Sequence, residues 1–223
     1  MNVNNSLFKN IFFLLGDYAL MAIGISLAVR SHLGLSPWDV LCEGFAKKAN
    51  LSFGVANIII SFIIIIITRF IKIYPGLGTF LNSAILGFLI DLAMFFIPDA
   101  HNFIIQISFV LSGIVVMALG AVLYIIVDWG AGPRDNLLLG IILKLKIGAT
   151  YVKPVIEGIV LLIGFALGGT AGLGTLLSLF LIGFFMDIFF KKLNFDPKQI
   201  KQQNIFEQIQ AIRGGKRNEN SNS

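Results

Sequence analysis

LGLSPWDVLCEGF at residues 33–45 and WGAGPRDNLLLGI at residues 129–141 are the stretches that decide the fold of this chain. Shifted by 96 positions they align without a gap: Gly34 falls on Gly130, Pro37 on Pro133, Asp39 on Asp135 and Gly44 on Gly140. In each, a proline suits the first position of a short helix. Ser36 or Gly132 precedes it as N-cap, and an aspartate follows in the first turn. The same offset carries Met21-Ala22 onto Met117-Ala118 and Gly24 onto Gly120. GLGT at Gly76–Thr79 recurs at Gly172–Thr175, and Gly87-Phe88 with Asp91 recurs as Gly183-Phe184 with Asp187. Apolar residues can coincide by composition alone, so the weight rests on Gly, Pro, Thr and Asp, which punctuate helices for backbone reasons.

Around these motifs the chain is too apolar for a soluble domain: 57% of residues are hydrophobic, 13% are charged, and the mean hydropathy is +0.87. Six stretches supply the roughly 17 to 25 apolar residues that cross a hydrocarbon core about 30 Å thick. They are Ile11–Val29, Phe53–Ile71, Thr79–Ile97, Phe103–Val127, Tyr151–Leu167 and Thr175–Phe190. The expected fold is all-α, a polytopic membrane bundle of about six spans with two short re-entrant or interfacial helices. Three spans per half is an odd number, so the second half enters the membrane from the opposite side. Two inverted three-span repeats, residues 1–97 and 98–192, are followed by a tail at 193–223. This topology sets Gly34–Asp39 toward the outer face and Gly130–Asp135 toward the inner one. In the tail, Asp196 and Pro197 open an amphipathic stretch with Ile205, Ile209 and Ile212 at helical spacing, and KRNENSNS reads as disordered.

A pI near 9.4 and a net charge of +5 raise the question of nucleic acid. Seven of the 17 basic residues, Lys191, Lys192, Lys198, Lys201, Arg213, Lys216 and Arg217, follow the last span, which the positive-inside rule explains without one. Both termini are expected in the cytoplasm, with the first span kept rather than cleaved as a signal. The lone Cys42 excludes an internal disulfide and gives no zinc spacing. His32 and His101, both near span ends, accompany no nucleophile motif, and the YD and GxGD motifs of intramembrane aspartyl proteases are absent. No enzyme, metal site or cofactor is expected.

The candidate polar site consists of Asp91, Asp187 and Arg134. The two aspartates lie twelve residues past Thr79 and Thr175, just beyond mid-membrane, where a carboxylate is costly and is expected to face the protein interior. Arg134 stands where the first half has Trp38. Its open assignments are a pair with Asp187 or Asp135, a lipid phosphate, or an anion held at a helix N-terminus. Asp39 and Asp135 read as caps, as do Thr79 and Thr175. Lys153 and Glu157 read as a helix-surface pair. Asp17 and Asp128 read as interface-reaching groups without chemistry. Gly24, Gly87, Gly113, Gly120, Gly158, Gly164 and Gly183 read as close-packing positions.

A G-x-S-P-W-D segment followed by G-x-G-P-R-D, together with the two GLGT blocks, resembles the YczE-like branch of the YczE/YyaS/YitT family over Phe12–Phe190. That resemblance implies a small multi-span protein of bacterial cytoplasmic membranes, and it brings no biochemical activity. The soluble C-terminal domain of the YitT-like branch is missing. Inverted repeats are characteristic of secondary transporters, whose sites lie where the halves meet. A transporter or permease for a small solute or ion is therefore expected, embedded in the bilayer, with a homo-oligomer compatible. The alternative is a non-transporting scaffold or accessory protein that binds a partner complex.

Overall fold

The computed structural model describes residues 3–71, 77–127 and 132–195, all helices and connections with no strand among them. The helices are α1 (Val3–Ser31), α2 (Pro37–Ala49), α3 (Phe53–Phe70), α4 (Leu77–Phe96), α5 (Phe103–Val127), α6 (Pro133–Leu145), α7 (Ala149–Ala166) and α8 (Leu173–Lys192). Five carry windows long and apolar enough to cross a membrane: Leu14–Ser31, Phe53–Phe70, Gly78–Phe96, Phe103–Ile126 and Leu173–Lys192. The remaining expected span corresponds to the 18-residue α7, which holds Lys153, Pro154 and Glu157. The first helix starts eight residues before the expected Ile11. Gly76, Asp128, Gly130 and the tail from Asp196 lie outside the described residues.

The helix bounds follow the sequence offset. α2, α3 and α4 begin at 37, 53 and 77, and α6, α7 and α8 begin at 133, 149 and 173, with ends displaced by the same 96. Each short helix has proline in its first turn and ends on a left-handed residue, Asn50 (φ 55°) or Lys146 (φ 56°). Asparagine tolerates that conformation readily; lysine adopts it because a helix that must stop there needs a left-handed turn. Two expectations about caps are corrected. Ser36 holds the N-cap position of α2 as expected, but its Oγ donates to Asp39 Oδ2 at 2.5 Å and makes no side-chain cap bond, so Asp39 takes that hydroxyl in place of a backbone N–H. Gly172 is the N-cap of α8, and Thr175 accepts the Gly172 N–H at 3.1 Å from three residues inside.

α1 packs along α5, with α4 against α1 and α8 against α5, while α2 lies on α7 and α6 on α3. The α1–α5 crossing is reciprocal. A Cβ added to Gly24 would strike Met117 Cγ, and one added to Gly120 would come within 2.8 Å of Met21 Cγ. Positions 21 and 117, like 24 and 120, are 96 apart, so the same contact is made from both sides, as in an interface between two-fold partners. Gly158 and Gly183 depart from the close-packing expectation, since nothing lies within 4 Å of an added Cβ at either. The symmetry also has a gap: α3 packs on α4, but α7 makes no comparable contact with α8 among the described residues.

At the end of α1, Arg30 Nη1 meets Asp99 Oδ2 at 2.9 Å, His32 Nε2 lies 2.8 Å from Asp99 Oδ1, and Arg30 Nη2 donates to Met94 O at 2.7 Å. This ties α1 to the α4–α5 connection. The hydrogen bond from His32, reinforced by Arg30, holds the Asp99 carboxyl below its ordinary value of 3.8. A carboxyl with a depressed folded-state pKa contributes stability above its unfolded value and loses it as pH falls through the folded one. Asp99→Asn is therefore expected to melt lower than the native chain at neutral pH, with the difference closing as pH falls below 3.8. Melting curves across that range test this, and a gap that ignores pH would show that the charge of Asp99 contributes nothing.

Candidate functional site

The first turns of α2 and α6 meet. Arg134 Nη1 donates to Asp39 Oδ1 at 3.0 Å, Nη2 lies 3.6 Å from Cys42 Sγ, and the guanidinium carbon stands 5.7 Å from the centre of the Trp38 ring. Asp39 is 1% exposed. Asn57 Nδ2 on α3 approaches Cys42 Sγ at 3.7 Å and closes the cluster from the other side. The two short-helix motifs touch, and one expectation changes here. Arg134 is committed to Asp39, not to Asp187, a lipid phosphate or a free anion, because a buried carboxylate within reach neutralises it at no further desolvation cost.

On the other side of Arg134 a cavity of about 110 Å³ opens between α2, α6 and α7, lined by Trp38, Arg134, Asp135, Leu138, Lys153, Ile156 and Glu157. Lys153 Nζ and Glu157 Oε1 are 3.8 Å apart, one turn apart on α7. Asp135 stands exposed in a wall of the cavity. Four charged side chains on one small cavity in so apolar a chain require either mutual pairing or a polar occupant. By contrast, a groove of about 420 Å³ between α1 and α4 is lined only by apolar side chains, Ala19, Ile23 and Phe96 among them, which suits lipid contact.

Asp91 and Asp187 do not join this cavity. Asp91 accepts Ser52 Oγ at 2.5 Å and the Gly54 N–H at 2.8 Å, so it serves the first turn of α3, where unpaired N–H groups and the helix dipole favour an anion. α4 returns antiparallel to α3, which sets position 91 level with residues 52–54 at the start of α3. Asp187 is exposed on α8. The positions matching Ser52 and Gly54 are Gly148 and Thr150, and among the described residues α7 makes no contact with α8 comparable to that of α3 with α4, so the interaction has no second copy there. Gly34 (φ 108°) serves chain packing: an added Cβ would lie 2.5 Å from Gly172 N, beside the Gly174 N–H to Leu33 O bond of 2.8 Å. Pro37 and Pro133 open their helices as expected.

Asp17 exceeds its sequence reading, and Glu43 and Asn136 were given none. Asp17 is completely buried, and neither carboxyl oxygen meets a side-chain hydrogen-bond partner among the described residues. Its neighbour Tyr18 donates to Gly78 O at 3.0 Å and stacks obliquely on Tyr124 at 5.9 Å. The signal was a charge inside an apolar run, obscured by placing the start of the span only six residues earlier. Glu43 accepts the Thr170 N–H and meets Lys47 Nζ at 2.9 Å, fastening α2 to the α7–α8 connection. Asn136 Nδ2 donates to Thr79 Oγ1 at 3.0 Å, tying α6 to α4.

Long apolar helices packed on two short ones, with a charged cavity among them, define a multi-span helical membrane protein. Residues 8–191 match the model of a family described as a family of unknown function (DUF6198), and the chain belongs to that family. It is 34% identical over 185 residues to an uncharacterized protein of Haemophilus influenzae, covering 81% of this chain and 85% of that one. With the uncharacterized membrane protein YczE of Bacillus subtilis it shares 31% identity over 166 residues, 74% of this chain and 77% of the relative. With the uncharacterized protein YyaS of the same organism it shares 31% over 181 residues, 76% and 87% respectively. No solved structure matches.

Proposed function

We propose that this protein is a small transporter or permease of the bacterial cytoplasmic membrane, with both termini in the cytoplasm and its solute site in the cavity between α2, α6 and α7. In this reading residues 1–97 and 98–192 are two inverted three-span repeats. The single observation that carries it is the cavity itself, walled by Arg134, Asp135, Lys153 and Glu157 where short helices of both halves meet. The equal offsets of helix bounds and the reciprocal α1–α5 contact support the repeat. Transporter sites occupy such positions because discontinuous helices bring polar termini and side chains to the interface of halves that can rock past one another.

Reconstitution into liposomes with a screen of labelled small solutes tests this reading. The native protein is expected to carry at least one solute, and Glu157→Gln to slow that flux about tenfold, the effect of losing roughly 1.4 kcal/mol of solute interaction. Flux that is absent for every solute with correctly folded protein, or unchanged in Glu157→Gln, would remove the cavity from any transport role.

A further inference from the structure

The 96-residue offset relates the open cavity to a second place in the molecule that is closed. Asp135 and Leu138 of α6, with Lys153 and Glu157 of α7, correspond to Asp39 and Cys42 of α2 and Asn57 and Ser61 of α3. All four residues of that counterpart are buried, between 0% and 3% exposed. What fills it is a guanidinium: Arg134, reaching in from the opposite short helix, donates to Asp39 and lies against Cys42.

At the open cavity the side chain that arrives from the opposite short helix is Trp38, the position matching Arg134, and it brings no charge. Asp135 makes no ion pair among the described residues, whereas its counterpart Asp39 has one. Lys153 and Glu157 stand where the closed site has Asn57 and Ser61, and their opposite charges cancel. Arg134 is balanced by Asp39. One negative charge, that of Asp135, is left over, beside an indole whose face attracts cations within about 6 Å.

We infer that the open cavity binds a small organic monocation, a guanidinium or short alkylammonium, held by Asp135 and Glu157 against Trp38 in the way that Arg134 is held by Asp39 in the closed counterpart. The inference rests on the reading of this cavity as a solute site. It also excludes the anion that Arg134 by itself would invite, because the charge of Arg134 is already spent on Asp39.

Titration calorimetry of the full chain in lipid nanodiscs with methylguanidinium chloride, against sodium chloride and sodium acetate at matched ionic strength, tests it. Saturable heat is expected for methylguanidinium and none for acetate. Asp135→Asn and Glu157→Gln are each expected to weaken binding on the order of 10- to 100-fold, the value of one hydrogen bond to a charged group. Lys153→Met is expected to tighten it by removing a like charge. The two carboxylate variants check one another, with melting curves confirming that each is folded. Absent binding to folded native protein, binding as tight as native in both carboxylate variants, or a preference for acetate would overturn the inference. Methylguanidinium that binds as expected but is not moved across liposomes would leave the inference standing and sink the transport reading. A transported solute with which methylguanidinium does not compete would do the reverse.

Discussion

Arg134→Ala is expected to lower the unfolding free energy by about 3–5 kcal/mol, the usual cost of removing one partner from a buried ion pair. The loss comes less from the missing attraction than from Asp39, which stays 1% exposed with Ser36 as its remaining polar contact. Arg134→Lys is expected to recover only part of the loss. An ammonium cannot bond Asp39 and approach Cys42 at once through a planar fork, nor lie flat over Trp38. The double variant Asp39→Leu with Arg134→Leu is expected to regain most of it, because two apolar side chains leave no orphaned charge. Denaturant unfolding in bicelles reads all three. A loss below about 1 kcal/mol for Arg134→Ala would mean that water reaches Asp39 and the cluster is not a closed one.

Gly164→Val is expected to separate α2 from α7. A Cβ at position 164 would lie 2.5 Å from Leu41 N, 2.6 Å from Leu41 Cα and 2.7 Å from Val40 C, all backbone atoms that cannot step aside as a side chain would. On the facing helix a Cβ at Gly44 would strike Gly164 O, so the two helices meet backbone to backbone. Overpacking costs typically 1–3 kcal/mol where neighbours can shift, and here the shift would also pull Glu43 and Lys47 from Thr170 and Gly168. Lower melting temperature and loss of the cavity's ligand binding are expected together. Gly158→Ala, in the same helix with open space at its Cβ, is the control and is expected to be neutral or to stabilise by up to about 1 kcal/mol. Equal behaviour of the two variants would show that α2 does not rest on α7 in the membrane.

The polar site was only partly legible in the sequence. Arg134 stood out because it broke the correspondence with Trp38, and that asymmetry does mark the cavity. Its partner did not follow, because a guanidinium at a helix start has several carboxylates within reach and only packing selects Asp39. Asp91 and Asp187 looked alike by position, yet a hydrogen bond needs both ends: Ser52 and Gly54 supply donors to Asp91, whereas among the described residues α7 does not pack on α8 as α3 packs on α4. Lys153 and Glu157 gave the expected pair at one-turn spacing, but spacing along one helix does not tell whether the pair faces a cavity.

What the sequence determined by itself were the helices and their recurrence at a fixed offset, because span length, helix-breaking glycines and prolines, and the prohibition on unpaired backbone in lipid are all written along the chain. The tertiary structure decided which of two equivalent sites is filled and which is open. That choice turns on whether the side chain arriving from the other half is an arginine that can reach a buried carboxylate or a tryptophan that cannot neutralise one, and such a meeting of residues 38, 39, 134 and 135 is fixed only when α2 and α6 are packed into the same bundle.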